Sequence, residues 1–96
     1  MAYYSVVYTY GPDQATQDEN RPRHRAFLGQ LAESGSLVAS GPLVGTSPGR
    51  ALLVMQGDSA DALRQLLSQD PFQKLGQVED VQVDEWNPVI GILSGK

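Results

Sequence analysis

Two Gly-Pro pairs, Gly11-Pro12 and Gly41-Pro42, each stop a run of strand-forming residues, and the segments around them set the order of elements. Tyr and Val dominate residues 2–10, a strand composition that Gly11-Pro12 closes. Asn20 is a polar capping residue ahead of Pro22, which a first helical turn tolerates. His24, Phe27, Leu28 and Leu31 then recur at helical spacing, and Gly35 is the expected stop. Leu37 to Ser40 predicts a second strand ended by Gly41-Pro42, and Arg50 to Met55 a third beyond a Gly/Ser/Pro loop. Asp58 or Ser59 caps a second helix with Ala60, Leu63, Leu66 and Leu67 as its buried stripe and Asp70-Pro71 at its end. A short turn covers 72–76, and Val81 and Val83 alternate within a fourth strand over Val78 to Trp86. The tail from Pro88 to Leu93 is too apolar to be a free end.

The order β-α-β-β-α-β is the split βαβ of ferredoxin-like α+β domains, a four-stranded antiparallel sheet with two helices on one face. At 96 residues a single domain over 1–96 is expected, too small to divide. The third strand does not alternate. Ala51, Leu53 and Met55 point one way and the equally apolar Leu52 and Val54 the other. Two helices cover one face of such a sheet, so a second subunit packed sheet against sheet is the simplest cover for the other. The expected partner is a second copy of the chain.

Composition removes several function classes. Without cysteine, and with one histidine, the chain is neither a disulfide scaffold nor a zinc finger, and no metal site is expected. A net charge of −4 and a pI near 4.6 have the wrong sign for a nucleic-acid partner. No basic region precedes an apolar run at the N-terminus, and no segment approaches the roughly 20 apolar residues of a membrane span. A cytoplasmic protein without membrane contact is expected. No Gly-rich phosphate loop or haem-ligand pattern is present, so no cofactor is expected either.

Right-handed crossovers bring the start of helix one, the end of helix two, the end of strand two and the start of strand three to one edge of the sheet. That edge receives His24, Asp70, Ser40-Gly41-Pro42 and Arg50. His24 shares a stripe with Phe27, Leu28 and Leu31, and Asp70 with Leu63, Leu66 and Leu67, so both polar groups point inward. A carboxylate beside an imidazole fixes its tautomer and suits it to proton transfer near neutral pH. Equally, an Asp before Pro is often only a cap, and a lone His on an apolar stripe is ordinarily a hydrogen-bonded core residue. Ser40 and the turn after it offer a hydroxyl and a backbone amide to a substrate oxygen, or simply end a strand. Nothing around Ser40 has the strained elbow of a hydrolase nucleophile. Arg50 suits an anionic substrate group or an exposed edge, and Tyr8 and Tyr10 suit a pocket wall or the core. Arg21, Arg23 and Arg25 read as a solvated helix start.

Arg23-His24-Arg25-Ala26-Phe27-Leu28, then Leu31, Gly35, Ser40-Gly41-Pro42, the apolar strand Ala51 to Met55, Asp70-Pro71-Phe72 and Trp86-Asn87-Pro88 together resemble the YCII-related family across nearly the whole chain. The resemblance implies the dimeric α+β barrel superfamily, in which two ferredoxin-like subunits pack sheet to sheet. It also implies an active-site pair at His24 and Asp70, and it links the chain to elimination chemistry on hydroxylated aromatic rings.

The leading expectation is a cofactor-independent enzyme in which His24, oriented by Asp70, moves a proton in an elimination or isomerisation of a small polar or aromatic metabolite. Ser40, Gly41, Pro42, Arg50 and Tyr8 are its expected substrate contacts. The alternatives are a dimer that binds a small molecule without turnover and a cofactor-free monooxygenase of the same superfamily.

Overall fold

The computed structural model describes residues 2–94. Strand β1 (Ala2–Tyr10) leads into helix α1 (Gln14–Ser34), then β2 (Leu37–Leu43) and β3 (Arg50–Gly57). Helices α2 (Ala60–Leu67) and α3 (Pro71–Lys74) precede β4 (Val78–Trp86). The strands form one sheet in the order β2-β3-β1-β4, antiparallel throughout. This is the ferredoxin-like arrangement that the element order predicts.

Alternation along the two central strands decides which face is the core. Tyr4, Val6 and Tyr8 of β1 and Ala51, Leu53 and Met55 of β3 are buried beneath the helices. Leu28 and Leu31 of α1 and Leu63 and Leu67 of α2 close over them. Each such leucine, cut back to alanine, costs about 2–5 kcal/mol. On the opposite face Leu52 is 36% and Trp86 41% exposed. The third strand is therefore apolar on both sides but covered on one.

Several boundaries differ from the sequence reading: β3 runs two residues further, to Gly57, the turn expected over 72–76 is the short helix α3, and three other shifts bear on the site. Helix α1 begins six residues before Asn20, at Gln14, because Asp13 caps it: its carboxylate accepts from the backbone N–H of Thr16 (3.1 Å) and from the Thr16 hydroxyl (2.7 Å). Pro22 thus lies inside the helix, on its exposed side, and not in the first turn. Strand β2 continues through Gly41-Pro42 to Leu43. It is an edge strand, where a proline's missing N–H need not break a ladder. Helix α2 stops at Leu67 with Ser68 as its cap, so Asp70 belongs to the next helix, whose first N–H groups it caps through Phe72. Ser59 is the cap at the start of α2. Beyond β4, Pro88 is buried while Val89, Ile90 and Ile92 are exposed.

Candidate active site

Four segments meet at one end of the helix-covered face. The eleventh residue of α1 is His24, on the buried stripe Gln17, His24, Leu28 and Leu31. The α2–α3 connection delivers Asp70, fully buried. Pro71, fixed in φ, starts α3 directly behind it and fixes the direction of the carboxylate. Both carboxylate oxygens lie 2.9 Å from His24 Nδ1. Asp70 also accepts from the backbone N–H of Phe72 (2.9 Å) and from the Tyr8 hydroxyl (3.0 Å). The side-chain amide of Gln73 donates in turn to the Tyr8 oxygen (3.2 Å).

The donors around Asp70 determine the protonation pattern. An ionised carboxylate only accepts hydrogen bonds, and here a backbone amide and a phenol already donate to it. Nδ1 of His24 therefore carries the proton on that side, which leaves Nε2 as the acceptor of the neutral ring. Nε2 has no hydrogen bond with any described side chain or backbone group. Because no buried side-chain polar atom among the described residues lacks a partner, Nε2 is open to the cleft. The Phe72 ring stacks on the imidazole, centroids 4.1 Å apart and planes within 1°. The ring is thus held in plane, tautomer and direction.

Burial, reinforced by the Asp70 charge, pushes the Tyr8 phenol far above the usual tyrosine range. Tyr8 therefore donates as a neutral phenol at any ordinary pH. Tyr10 is shifted up for the same first reason, with Arg21 opposing the shift.

A cleft of about 280 Å³ opens in front of Nε2. Its α1 wall is Arg21, His24, Arg25 and Leu28, its opposite wall Ser40, Gly41 and Pro42 of β2, its floor Ala51 and Leu53, and its end Tyr10 and Phe72. Of the residues expected here, His24, Ser40, Gly41 and Pro42 line the cleft and Asp70 stands directly behind His24. Tyr8 does not line it: inward-pointing on β1 and fully buried, its ring lies behind Asp70. Arg50 does not line it either. The residue next to it, Ala51, faces the helices, so the pleat sends Arg50 to the open face of the sheet, where it is exposed. Phe72, Arg21 and Arg25 were not foreseen. The phenylalanine directly follows the Asp-Pro pair, and Arg21 and Arg25 lie within one helical turn of His24, which are signals visible in the sequence. Among the described residues no three His, Cys, Asp or Glu side chains converge as a metal-ligand set. Among the described residues no helix is long and apolar enough to cross a membrane.

Similar folds place the chain among known structures. A dehydrochlorinase of 5-chloro-2-hydroxyhydroquinone from Burkholderia phenoliruptrix, solved with 2,5-dihydroxybenzoquinone, superposes with a TM-score of 0.75 at 22% identity, covering 88% of this chain and 92% of its own. An antibiotic biosynthesis monooxygenase matches at 0.57 and 16% identity over 94% and 100% of the two chains. The cofactor-independent oxygenase SnoaB of Streptomyces nogalater matches at 0.51 and 15% identity over 96% of each. No curated protein is significantly similar in sequence. The model of the YCII-related domain matches residues 1–87, and the chain belongs to the YCII-related family.

Proposed function

We propose that the protein is a cofactor-independent acid–base enzyme in which His24, held by Asp70, transfers a proton in an elimination or isomerisation of a small polar or aromatic metabolite. The observation that carries this reading is the buried pair itself: a carboxylate 2.9 Å from Nδ1 of an imidazole whose Nε2 opens into a cleft. Nε2 takes a proton from a substrate hydroxyl or carbon. The imidazolium that forms keeps Nδ1–H on the Asp70 carboxylate, so the new charge is paired without rearrangement. In an elimination the pair left by the proton becomes a new C=O or C=C bond, and the leaving group departs with its own bonding electrons from the saturated carbon next to the enol or carbanion. A hydroxylated ring presents such a carbon in its keto tautomer, and the proton returns to solvent through the cleft. Ser40 and the backbone of Gly41 and Pro42 face the substrate from the other wall, where the Ser40 hydroxyl can donate to an oxygen. A dehydrochlorinase of a hydroxylated ring shares the fold, and elimination from such a ring is the reaction this geometry performs with fewest additions.

The functional unit in this reading is a homodimer joined through the open sheet face. Leu52 and Trp86 are exposed there, and Val89, Ile90 and Ile92 of the tail are exposed beyond β4. A second copy would cover these side chains.

The test is turnover of a panel of hydroxylated and halogenated aromatic compounds, followed by mass spectrometry, with wild type and His24→Ala in parallel. The variant should lose the reaction by at least about a hundredfold, the lower range of a positioned acid–base group. Equal rates in the two proteins would remove His24 from the chemistry.

A further inference from the structure

The charge of the cleft is opposite to that of the chain. The protein carries −4 overall, yet no acidic side chain lines the cleft, whereas Arg21, Arg25 and His24 do. Asp70 is turned away, its oxygens occupied by His24, Tyr8 and Phe72. The two arginines are four residues apart on α1 and so lie on one side of the helix, a turn apart. They are not equivalent. Arg21 is paired with Asp18 one turn earlier. Arg25 makes no ion pair or hydrogen bond among the described residues, and it stands where the cleft meets a second groove along α1 and β2. Arg23, between them in sequence, is bonded to Asn20 and lies outside the cleft.

We infer that the cleft takes a planar, single-ring organic acid whose carboxylate is held by Arg25 while a ring substituent reaches His24 Nε2. This deepens the acid–base reading of the same site and rests on it. About 280 Å³ is close to the lower bound of small-molecule sites, room for one ring and not for a nucleotide. Leu28, Pro42, Ala51 and Leu53 supply apolar walls, with Tyr10 and Phe72 at the end; stacked on His24, the Phe72 ring gives that end a flat aromatic group. A planar guanidinium presents a fork of donors that matches a carboxylate with two parallel hydrogen bonds. A neutral ring would leave that fork unused. Arg25 is then a specificity-determining residue, separate from the proton-transfer pair.

The experiment follows the single histidine by NMR in labelled protein titrated with 4-hydroxybenzoate or with its uncharged isostere 4-hydroxybenzamide. Wild type should bind the benzoate about tenfold more tightly than the amide, as a charge-assisted hydrogen bond predicts. Arg25→Gln should bring the benzoate down to the amide's affinity, Arg25→Lys should fall between, and Arg23→Gln should leave the preference intact. Arg25 is exposed, so its replacement does not threaten the fold. If both probes move the His24 signals but with equal affinity, or if Arg25→Gln keeps the preference, the carboxylate inference is wrong and the acid–base site stands. If neither probe moves His24, both fail.

Discussion

His24 lies flat on Phe72, and Phe72 is two residues from the Asp70 that binds His24 Nδ1. One short segment, Asp70-Pro71-Phe72, therefore fixes the imidazole from its edge and from its face. An aromatic face also stabilises an imidazolium by about 0.5–2 kcal/mol, which favours the ring in the form it takes after accepting a proton. Replacing Phe72 by Leu keeps most of the buried volume and the Asp70 cap, so the fold should persist at a cost of about 1.5 kcal/mol or less. The ring-current displacement of the His24 resonances should disappear and turnover should fall. A variant that loses the ring-current displacement but keeps full activity would show that the stack only packs.

Asp70→Asn separates capping from chemistry. The amide oxygen can still accept from the Phe72 N–H, so α3 keeps its cap, while the charge that pairs with an imidazolium is gone. The rate should drop with little loss of ligand affinity. Ligand binding followed through the NMR signals of this one histidine reads the affinity, and turnover reads the rate. Unchanged turnover in the variant would reduce Asp70 to a helix cap.

The order of elements, the Gly35 stop and the inward direction of His24 were legible because each rests on local rules of spacing and turn chemistry. The start of α1 was not, since Asn20 and Asp13 are both good caps and only the Thr16 contacts of Asp13 decide between them. That displacement had a consequence. With the helix begun at Asn20, Arg21 and Arg25 look like solvated first-turn residues, whereas with Asp13 as the cap they flank His24 in mid-helix. Arg50 was misplaced for a different reason: the alternation of Ala51, Leu53 and Met55 already sends its neighbour to the other face. The inward phase shared by Tyr4, Val6 and Tyr8 likewise puts Tyr8 deep in the core. That its hydroxyl meets Asp70, 62 residues away, is tertiary and has no sequence signal.

Leu52 and Leu53 give the proposed dimer a paired test, because they are adjacent in sequence and opposite in direction. Light scattering at micromolar concentration should report about twice the 10.4 kDa chain mass. Leu52→Asp, on the open face, should yield folded monomer, since an unpaired charge buried in the interface costs several kcal/mol. Leu53→Asp, 1% exposed beneath the helices, should unfold the subunit instead. A wild type that stays monomeric at high concentration removes the dimer.

Tyr8 ties the stability of the core to the proton on a phenol, and the sign of that link can be derived. Its pKa is raised in the folded protein by burial and by Asp70, while the unfolded chain ionises near the ordinary value of about 10. Below pH 10 both states hold the proton and stability does not depend on it. Above pH 10 the unfolded state releases the proton and the folded state does not, so unfolding becomes easier as pH rises. The loss approaches about 1.4 kcal/mol per pH unit from Tyr8, with a smaller share from the half-buried Tyr10, also raised. Tyr8→Phe should flatten this dependence. At neutral pH the same substitution removes one donor from a buried carboxylate, at a cost of about 1.5–3 kcal/mol. Urea midpoints of wild type and variant at pH 8 and at pH 11 measure both effects: the variant should be the less stable protein at pH 8, and the gap should narrow at pH 11. A gap that stays constant between the two pH values would mean that Tyr8 ionises as freely in the folded protein as in the unfolded chain.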